Sequence, residues 1–297
     1  LNTIKYDVIV CTYNNVEFIC SQLDSIMQQS MLPNKIIISD DSVDDSVINV
    51  VRQVANNYGA FDTEWLIVKG PQKGVLYNFI SALVYSKSEL LFFSDQDDLW
   101  YKDKVEIFVS KYRKCDANIP TLIYSDADII NEKGDHLYNS FIQRQRLNTK
   151  VVLDDSILLE NCVQGASCCI NSSLRLLSQE MAELIGENKI VMHDWFFAIL
   201  ARYFGRVYFI DSSLIGYRQH GKNQVGYISR FHWFINMVKS PLFLLCKAIK
   251  VLEQKNAIKC YFSSIGILKV DEMSFLHINP YKKSIYRLIS LLRFGKK

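Results

Sequence analysis

The chain has 297 residues, 49% of them hydrophobic and 22% charged, with a formal net charge of +3. Such a composition excludes global disorder and suits one large folded unit, with or without an appendage. The charge is unevenly placed: residues 230–297 hold 13 Lys and Arg against 3 Asp and Glu, or +10, and subtraction from the totals of 34 and 31 leaves 21 against 28, or −7, for the rest.

Over the first hundred residues, short β-rich runs alternate with stretches of helical spacing. Tyr6–Val10, Lys35–Ser39, Glu64–Val68 and Glu89–Phe93 are too apolar to leave one face in water. Val16–Gln29, Asp44–Asn57 and Val75–Ser86 read as the helices between them. This alternation predicts βαβ units and a mostly parallel sheet covered on both faces, a Rossmann-like α/β fold. Ligands of such sheets collect beyond the carboxyl ends of the strands. Three polar clusters fall there: Thr12-Tyr13-Asn14, Asp40-Asp41-Ser42 and Ser94 to Asp98. Further along, strands are expected at Thr121–Ser125, Val163–Ile170, Val207–Ile210 and Leu214–Gln219, and helices at Leu174–Leu184 and His193–Phe204.

The eight cysteines (Cys11, Cys20, Cys115, Cys162, Cys168, Cys169, Cys246 and Cys260) make no CxxC pair and sit mostly in apolar runs, as reduced thiols of a cytoplasmic protein would. The opening LNTIKYDVIVCTYNN lacks the basic start and apolar stretch of a leader, and no apolar run approaches the ~20 residues of a spanning helix.

The segment FFSDQDDLWYKDK, residues 92–104, places Asp95, Asp97 and Asp98 within four positions behind a greasy run. Crowded, desolvated carboxylates either protonate or take up a cation. Closely set Asp oxygens suit a hard ion such as Mg²⁺ or Mn²⁺, and magnesium typically completes its shell with substrate phosphates. A competing reading makes these residues caps of the helix expected near Lys102–Lys111; a calcium loop lacks its Gly and spaced acids.

Five blocks in order then carry a resemblance. VIVCTYNN (8–15), IIISDDSVDDS (36–46), FFSDQDDLW (92–100), HDWFFAILARYFG (193–205) and YRQHGKNQVG (217–226) make the sequence similar to family 2 glycosyltransferases of the GT-A fold, in a bacterial rhamnosyltransferase-like branch. The resemblance implies that Cys11, Thr12, Tyr13 and Asn14 line a nucleotide pocket and that Asp41 contacts the base. It implies that Asp95 supports ribose or metal, and that Asp97 and Asp98 hold a Mn²⁺ or Mg²⁺ ion bridging the donor diphosphate. His220 would join the metal or the diphosphate, and Arg218 would pair with phosphate. Asp194 is then the general base of an inverting transfer, although its place at a helix start also suits a cap. Gln164 and Gly165 begin a strand facing the acceptor, and Trp100 and Trp195 either stack on sugar rings or pack in the core.

A catalytic domain over 1–229 and a basic helical extension over 230–297 follow. In KKSIYRLISLLRFGKK (282–297), Ile285, Leu288, Ile289 and Leu292 form a helical stripe among basic residues. Such a helix either lies on an anionic membrane surface, placing the protein peripherally on the inner face of the cell membrane, or packs on the body. Nucleic acid is not expected, since no binding motif is present and the −7 body would repel phosphate. The expected partners are a nucleotide-sugar donor, dTDP- or UDP-linked, and a glycan or lipid-linked acceptor in capsule or O-antigen assembly. A sugar nucleotidyltransferase is the alternative enzyme, but CTYNNVEF lacks the Gly-rich loop it needs. A non-catalytic sugar- or lipid-binding module is the alternative outside enzymes.

Overall fold

Runs of Val, Ile and Phe bury both faces of a sheet, and the side chains of each strand divide between two cores. The computed structural model describes residues 3–220, 241–268 and 273–294. Its first half alternates β1 (Tyr6–Thr12), α1 (Ile19–Met27), β2 (Lys35–Asp40), α2 (Ser46–Asn57), β3 (Glu64–Lys69), α3 (Val75–Ala82) and β4 (Leu90–Asp95). Then come β5 (Leu99–Trp100), α4 (Lys104–Tyr112), β6 (Thr121–Ile130), β7 (His136–Tyr138), α5 (Phe141–Gln145), β8 (Cys168–Asn171), α6 (Ser172–Ile185), α7 (His193–Phe204) and β9 (Arg206–Arg218). Two more helices follow, α8 (Pro241–Ser264) and α9 (Pro280–Phe294).

The strands form one sheet in the order β3-β2-β1-β4-β8-β6-β9-β5, with β7 on the side of β6. β1, β2, β3 and β4 pair in parallel, and β6 pairs in parallel with β9, whereas β5, β7 and β8 run against their neighbours. Alternation along the strands divides the core. Val8, Val10, Ile36, Ile38 and Phe92 pack with α1, α2 and α4 on one face. Ile9, Ile37, Leu91 and Phe93 pack with α3, α6 and α7 on the other.

α8 and α9 close over that second face. Val251, Leu252, Ile258, Phe262 and Ile289 belong to the same buried cluster as Phe93 and Phe197. The described residues just before α9 are tied down as well: Ser274 N–H and Leu276 N–H donate to Asp155 and Asp154 at 2.6 and 2.7 Å. Lys282 Nζ lies 2.5 Å from Glu160. Ile285 is exposed and Ile289 buried, while the side chains of Leu288 and Leu292 lie outside the described residues, as do residues 221–240. No described helix is long and apolar enough to cross a membrane.

Three local expectations are corrected. The strand expected to end at Ser125 runs on to Ile130, because Asp126 is satisfied in place by the Ser140 hydroxyl and the Ile142 N–H. Only Cys168–Asn171 of the expected 163–170 strand pairs; Gly165–Ser167 is a 3-10 turn, so Gln164 and Gly165 precede the strand rather than begin it. The two strands expected around 207–219 are one continuous strand, β9, whose pairing with β6 slips after Ser125.

Gly205, between α7 and β9, is a point where only glycine fits: a Cβ there would stand 1.7 Å from the Pro120 carbonyl oxygen. Gly205→Ala should therefore push β9 away from β6 and cost about 1–3 kcal/mol. A lower urea midpoint with an unchanged slope is the expected result; an unaltered midpoint would contradict this packing.

Candidate active site at the strand ends

The ends of β1, β2 and β4 present the three polar clusters side by side, since Thr12 pairs with Asp40 and Cys11 pairs with both Ser39 and Asp95. Buried Asp40 ties the first two together. Its Oδ1 accepts from the Thr12 hydroxyl at 2.8 Å and the Ser42 hydroxyl at 2.5 Å, while Lys69 stands 3.6 Å from Oδ2. The Ser42 hydroxyl in turn accepts from Asn14 N–H at 2.8 Å, and Asn14 Oδ1 accepts from Val43 N–H. Asn14 has φ of 46°, a left-handed conformation that Asn tolerates better than most residues. Tyr13 follows the strand with 55% of its surface exposed.

Asp41 is held at the next loop, where its two oxygens accept from Gln72 N–H at 2.9 Å and Gly74 N–H at 3.2 Å. A Cβ on Gly70 would lie 2.2 Å from Asp41 Oδ1, so the carboxylate occupies space that only glycine leaves open. Cys11 is buried, and burial, reinforced by Asp95 and Asp41, raises its thiol well above its ordinary range. It is a neutral packing group beneath the rim.

The acidic loop is clamped from two sides. Gln96 accepts from Tyr13 N–H at 2.9 Å and donates to Tyr13 O at 3.1 Å, joining it to the first loop. Arg218, at the end of β9, donates from Nε to Asp97 O at 2.8 Å and from Nη1 to Glu132 O at 2.5 Å. Its guanidinium also lies 4.7 Å from the centre of the Phe18 ring. This arginine is buried and committed to main-chain carbonyls, so it shapes the loop.

Within the loop the three aspartates differ. Burial, then the nearby charges of Asp97 and Asp194, raises Asp95 to about 7. Asp98 is fully buried, with Oδ1 accepting from Arg218 N–H at 3.1 Å, and burial followed by Asp97 and Asp95 raises it far above the carboxylate range. Asp97 remains accessible, and its Oδ2 lies 2.8 Å from His220 Nε2. A carboxylate and an imidazole at that spacing fit a divalent ion that takes few protein ligands and fills its shell with phosphate oxygens. Asp98 does not join them. Among the described residues, no group of three or more His, Cys, Asp and Glu side chains is placed to hold a metal alone. Residues 221–226 of the YRQHGKNQVG block lie outside the described residues.

Beneath the loop sits a lysine that sequence reasoning missed. Lys104 is wholly buried, donates to Ala166 O at 2.8 Å and stands 3.8 Å from the Trp100 ring centre. Burial lowers it to about 7, opposed by Cys168 and Asp98. Trp100, with 4% of its surface exposed, is the floor for this cation and cannot stack on a sugar. Trp195, at 7%, is likewise a core residue, its indole N–H donating to Ile157 O.

Asp194 stands in the first turn of α7, where the N-cap position is Met192; it is not the cap. Its Oδ1 accepts from Trp195 N–H at 2.6 Å. Burial raises it to about 7 against the opposing hydrogen bonds of Trp195, Gly165 and Asn161. A carboxyl of that acidity takes up and releases a proton near neutral pH, as a general base must. Its charge is felt by Asp95, so the two loops, about a hundred residues apart in sequence, converge. Gly165 lies against this turn, where a Cβ would meet His193 Nε2 at 2.6 Å. His193 stacks on Phe79 at 4.0 Å, and burial lowers it to about 3, which keeps it neutral. Neither ring nitrogen has a hydrogen-bond partner.

Comparisons with known proteins place this geometry. A family model described as glycosyl transferase family 2 matches residues 7–162, more than half of the chain. The dTDP-rhamnosyl transferase RfbG of Shigella flexneri is 28% identical over 227 residues, covering 73% of each chain. The UDP-Glc:alpha-D-GlcNAc-diphosphoundecaprenol beta-1,3-glucosyltransferase WfgD of Escherichia coli is 24% identical over 54% of this chain and 56% of its own. Among solved structures, S. aureus TarS 1-349 in complex with UDP-GlcNAc superposes with a TM-score of 0.53 at 17% identity, over 91% of this chain and 77% of that one. The mannosyltransferase PcManGT from Pyrobaculum calidifontis, in complex with GDP-Man and Mn2+, gives 0.52 at 14% identity over 99% and 82%. The chain belongs to glycosyl transferase family 2 and is a glycosyltransferase with the GT-A fold.

Proposed function

We propose that the protein transfers a sugar, with inversion, from a dTDP- or UDP-sugar to a glycan or lipid-linked acceptor during bacterial surface polysaccharide assembly, with dTDP-rhamnose as the first donor to test. The observation that carries this reading is the buried carboxyl of Asp194, raised to about 7 and close enough to the acidic loop for its charge to reach Asp95, beside the Asp97–His220 pair. The similarity to a dTDP-rhamnosyl transferase supports the donor. The similarity to a glucosyltransferase named for a diphosphoundecaprenol-linked substrate supports the acceptor class. The excess of +10 in residues 230–297 supports work beside an anionic membrane surface.

In this reading, the exposed Tyr13 ring covers one face of the base and Asp41 accepts from its imide N–H. Asp95 takes the ribose, and Asp97 with His220 holds a Mn²⁺ or Mg²⁺ ion together with the donor diphosphate. The ion, once bound, neutralises charge developing on the leaving phosphate. Asp98, Arg218 and Gln96 hold the loop that presents Asp97. The acceptor hydroxyl approaches the face opposite the leaving group, and its proton passes to Asp194 as the oxygen bonds to the anomeric carbon. The bond from that carbon to the diphosphate breaks, and the nucleoside diphosphate departs with the electron pair. Asp194 then returns its proton to solvent.

Asp194→Asn keeps the shape of the turn and removes the base, so kcat should fall about 10²–10⁴-fold with donor affinity retained. Turnover close to wild type would refute the assignment. In the wild type, kcat should drop as pH falls through about 7, because the base is protonated below its folded pKa.

The same carboxyl affects stability. Between its ordinary value of 3.8 and about 7, the folded state holds a proton that the unfolded chain has lost. The ligand-free protein should therefore lose stability as pH rises through that window, and Asp194→Asn should remove that part of the slope. Urea midpoints measured from pH 4.5 to 7.5 check this; identical slopes in the two proteins would speak against a protonated, buried Asp194.

A further inference from the structure

Beside the catalytic turn, but sharing none of the donor-site residues, lies a cavity of ≈ 300 Å³. Lys73, Gly74 and neighbouring residues of α3 form one wall, Lys189 to Met192 another, and Lys250 and Glu253 of α8 a third. The three lysines are exposed, and no hydrogen bond or ion pair within the described residues involves their side-chain ammonium groups. Among the described residues, three lysines and one carboxylate therefore line a single recess. The first turn of α3 borders the same recess, and the N–H of its N-cap Gly74 is already taken by the Asp41 carboxylate, so the recess relies on its lysines for positive charge. Three ammonium groups against one carboxylate leave an excess of positive charge, which suits a phosphate or diphosphate group.

Location says which reactant brings that group. The base is expected at Tyr13 and Asp41, and the donor diphosphate at Asp97 and His220; neither pair lines the cavity. Met192 does, and at most about 7 Å of chain separates it from Asp194, the group that accepts the acceptor's proton. A phosphate seated at Met192 is therefore held close to the Asp194 turn and away from the residues assigned to the donor.

We infer that the Lys73–Lys189–Lys250 cavity is an acceptor subsite that grips a phosphate or diphosphate carried by the acceptor saccharide. The inference rests on the transfer reading for its role, but binding at the cavity is measurable without transfer. The chemistry has two sources, a polyprenyl-diphosphate-linked saccharide or a soluble phosphorylated one. A lipid tail would leave the cavity along the exposed side of α8, where Leu245 and Lys247 are exposed.

Calorimetric titrations with inorganic pyrophosphate, farnesyl diphosphate and farnesol, in EDTA and without nucleotide, test the site on the full chain. Pyrophosphate and farnesyl diphosphate should bind wild type. Each of Lys73→Ala, Lys189→Ala and Lys250→Ala should weaken both about tenfold, the usual size of one lost charge-assisted hydrogen bond. Simultaneous replacement of all three by Glu should abolish binding without moving the thermal midpoint, since all three side chains are exposed. Tighter binding of farnesyl diphosphate than of pyrophosphate assigns the lipid-linked source, and equal binding the soluble one.

Unchanged affinity in the triple variant would overturn the inference. So would competition by dTDP in EDTA, which would move the phosphate to the donor site, or farnesol binding as tightly as its diphosphate. Thermal shift with dTDP and Mn²⁺ separates the two readings: it should be the same in wild type and the triple variant. Its absence from wild type would sink the transfer reading and leave the phosphate result interpretable.

Discussion

Like charges gathered in a dry place govern this molecule. Asp95, Asp98 and Asp194 are all raised by burial, and Asp95 feels both Asp97 and Asp194. A protein interior tolerates such a set only by keeping protons on it or by accepting positive charge from outside. Lys104 beneath the loop supplies an internal cation, but one itself lowered to about 7 by burial. The rim is thus short of positive charge at the place where a cation and a diphosphate would arrive together. In the proposed function, that shortage is what a metal-bound nucleotide would relieve.

Holding that arrangement open requires rigidity, and the hydrogen bonds supply it. Gln96 joins the acidic loop to the β1 loop, Asp40 joins the β1 and β2 loops, and Arg218 fastens the acidic loop to the end of β9. On the opposite side, Gly165 lets the turn before β8 approach His193, and Phe79, Phe93 and Phe197 pack around that ring. The neutral, unpartnered histidine therefore works as an aromatic wedge that sets where Asp194 stands. Apart from His193–Phe197, one turn apart in α7, these contacts link segments distant in sequence, so the site exists only in the folded chain.

Much of this was legible in the residues. The first four strands and three helices were readable because parallel strands buried on both faces produce short apolar runs, and helices between them keep a 3.6 period. The acidic loop stood out because carboxylates behind an apolar run are costly, whereas Asp194 stood out only through the resemblance of its block, since its place at a helix start also suits a cap. What could not be read was the use made of ordinary-looking residues. Nothing distinguishes Lys104 from its solvated neighbours Lys102 and Lys111 until Trp100 and Ala166 fold around it, since lysine is almost never fully buried. Arg218 invites a phosphate reading, yet long-range carbonyls claim its guanidinium. Asp98 looks equivalent to Asp97 in sequence, and only the turn between β4 and β5 sends one to the interior and leaves the other beside His220.

The basic C-terminal segment shows the same limit. Its helical stripe fits a lipid surface as well as a protein face, and only the packing of Ile258, Phe262 and Ile289 places it against the body. Its exposed Lys250 then becomes part of the surface beside the Asp194 turn.

The central claim, that Asp97 and His220 await a cation which the nucleotide diphosphate completes, is tested most directly by Mn²⁺ binding followed by electron paramagnetic resonance, with and without dTDP. The expected result is weak binding to the protein alone and much tighter binding with dTDP, a gain lost in Asp97→Asn. Equal affinity with and without the nucleotide, or an undiminished gain in that variant, would contradict it.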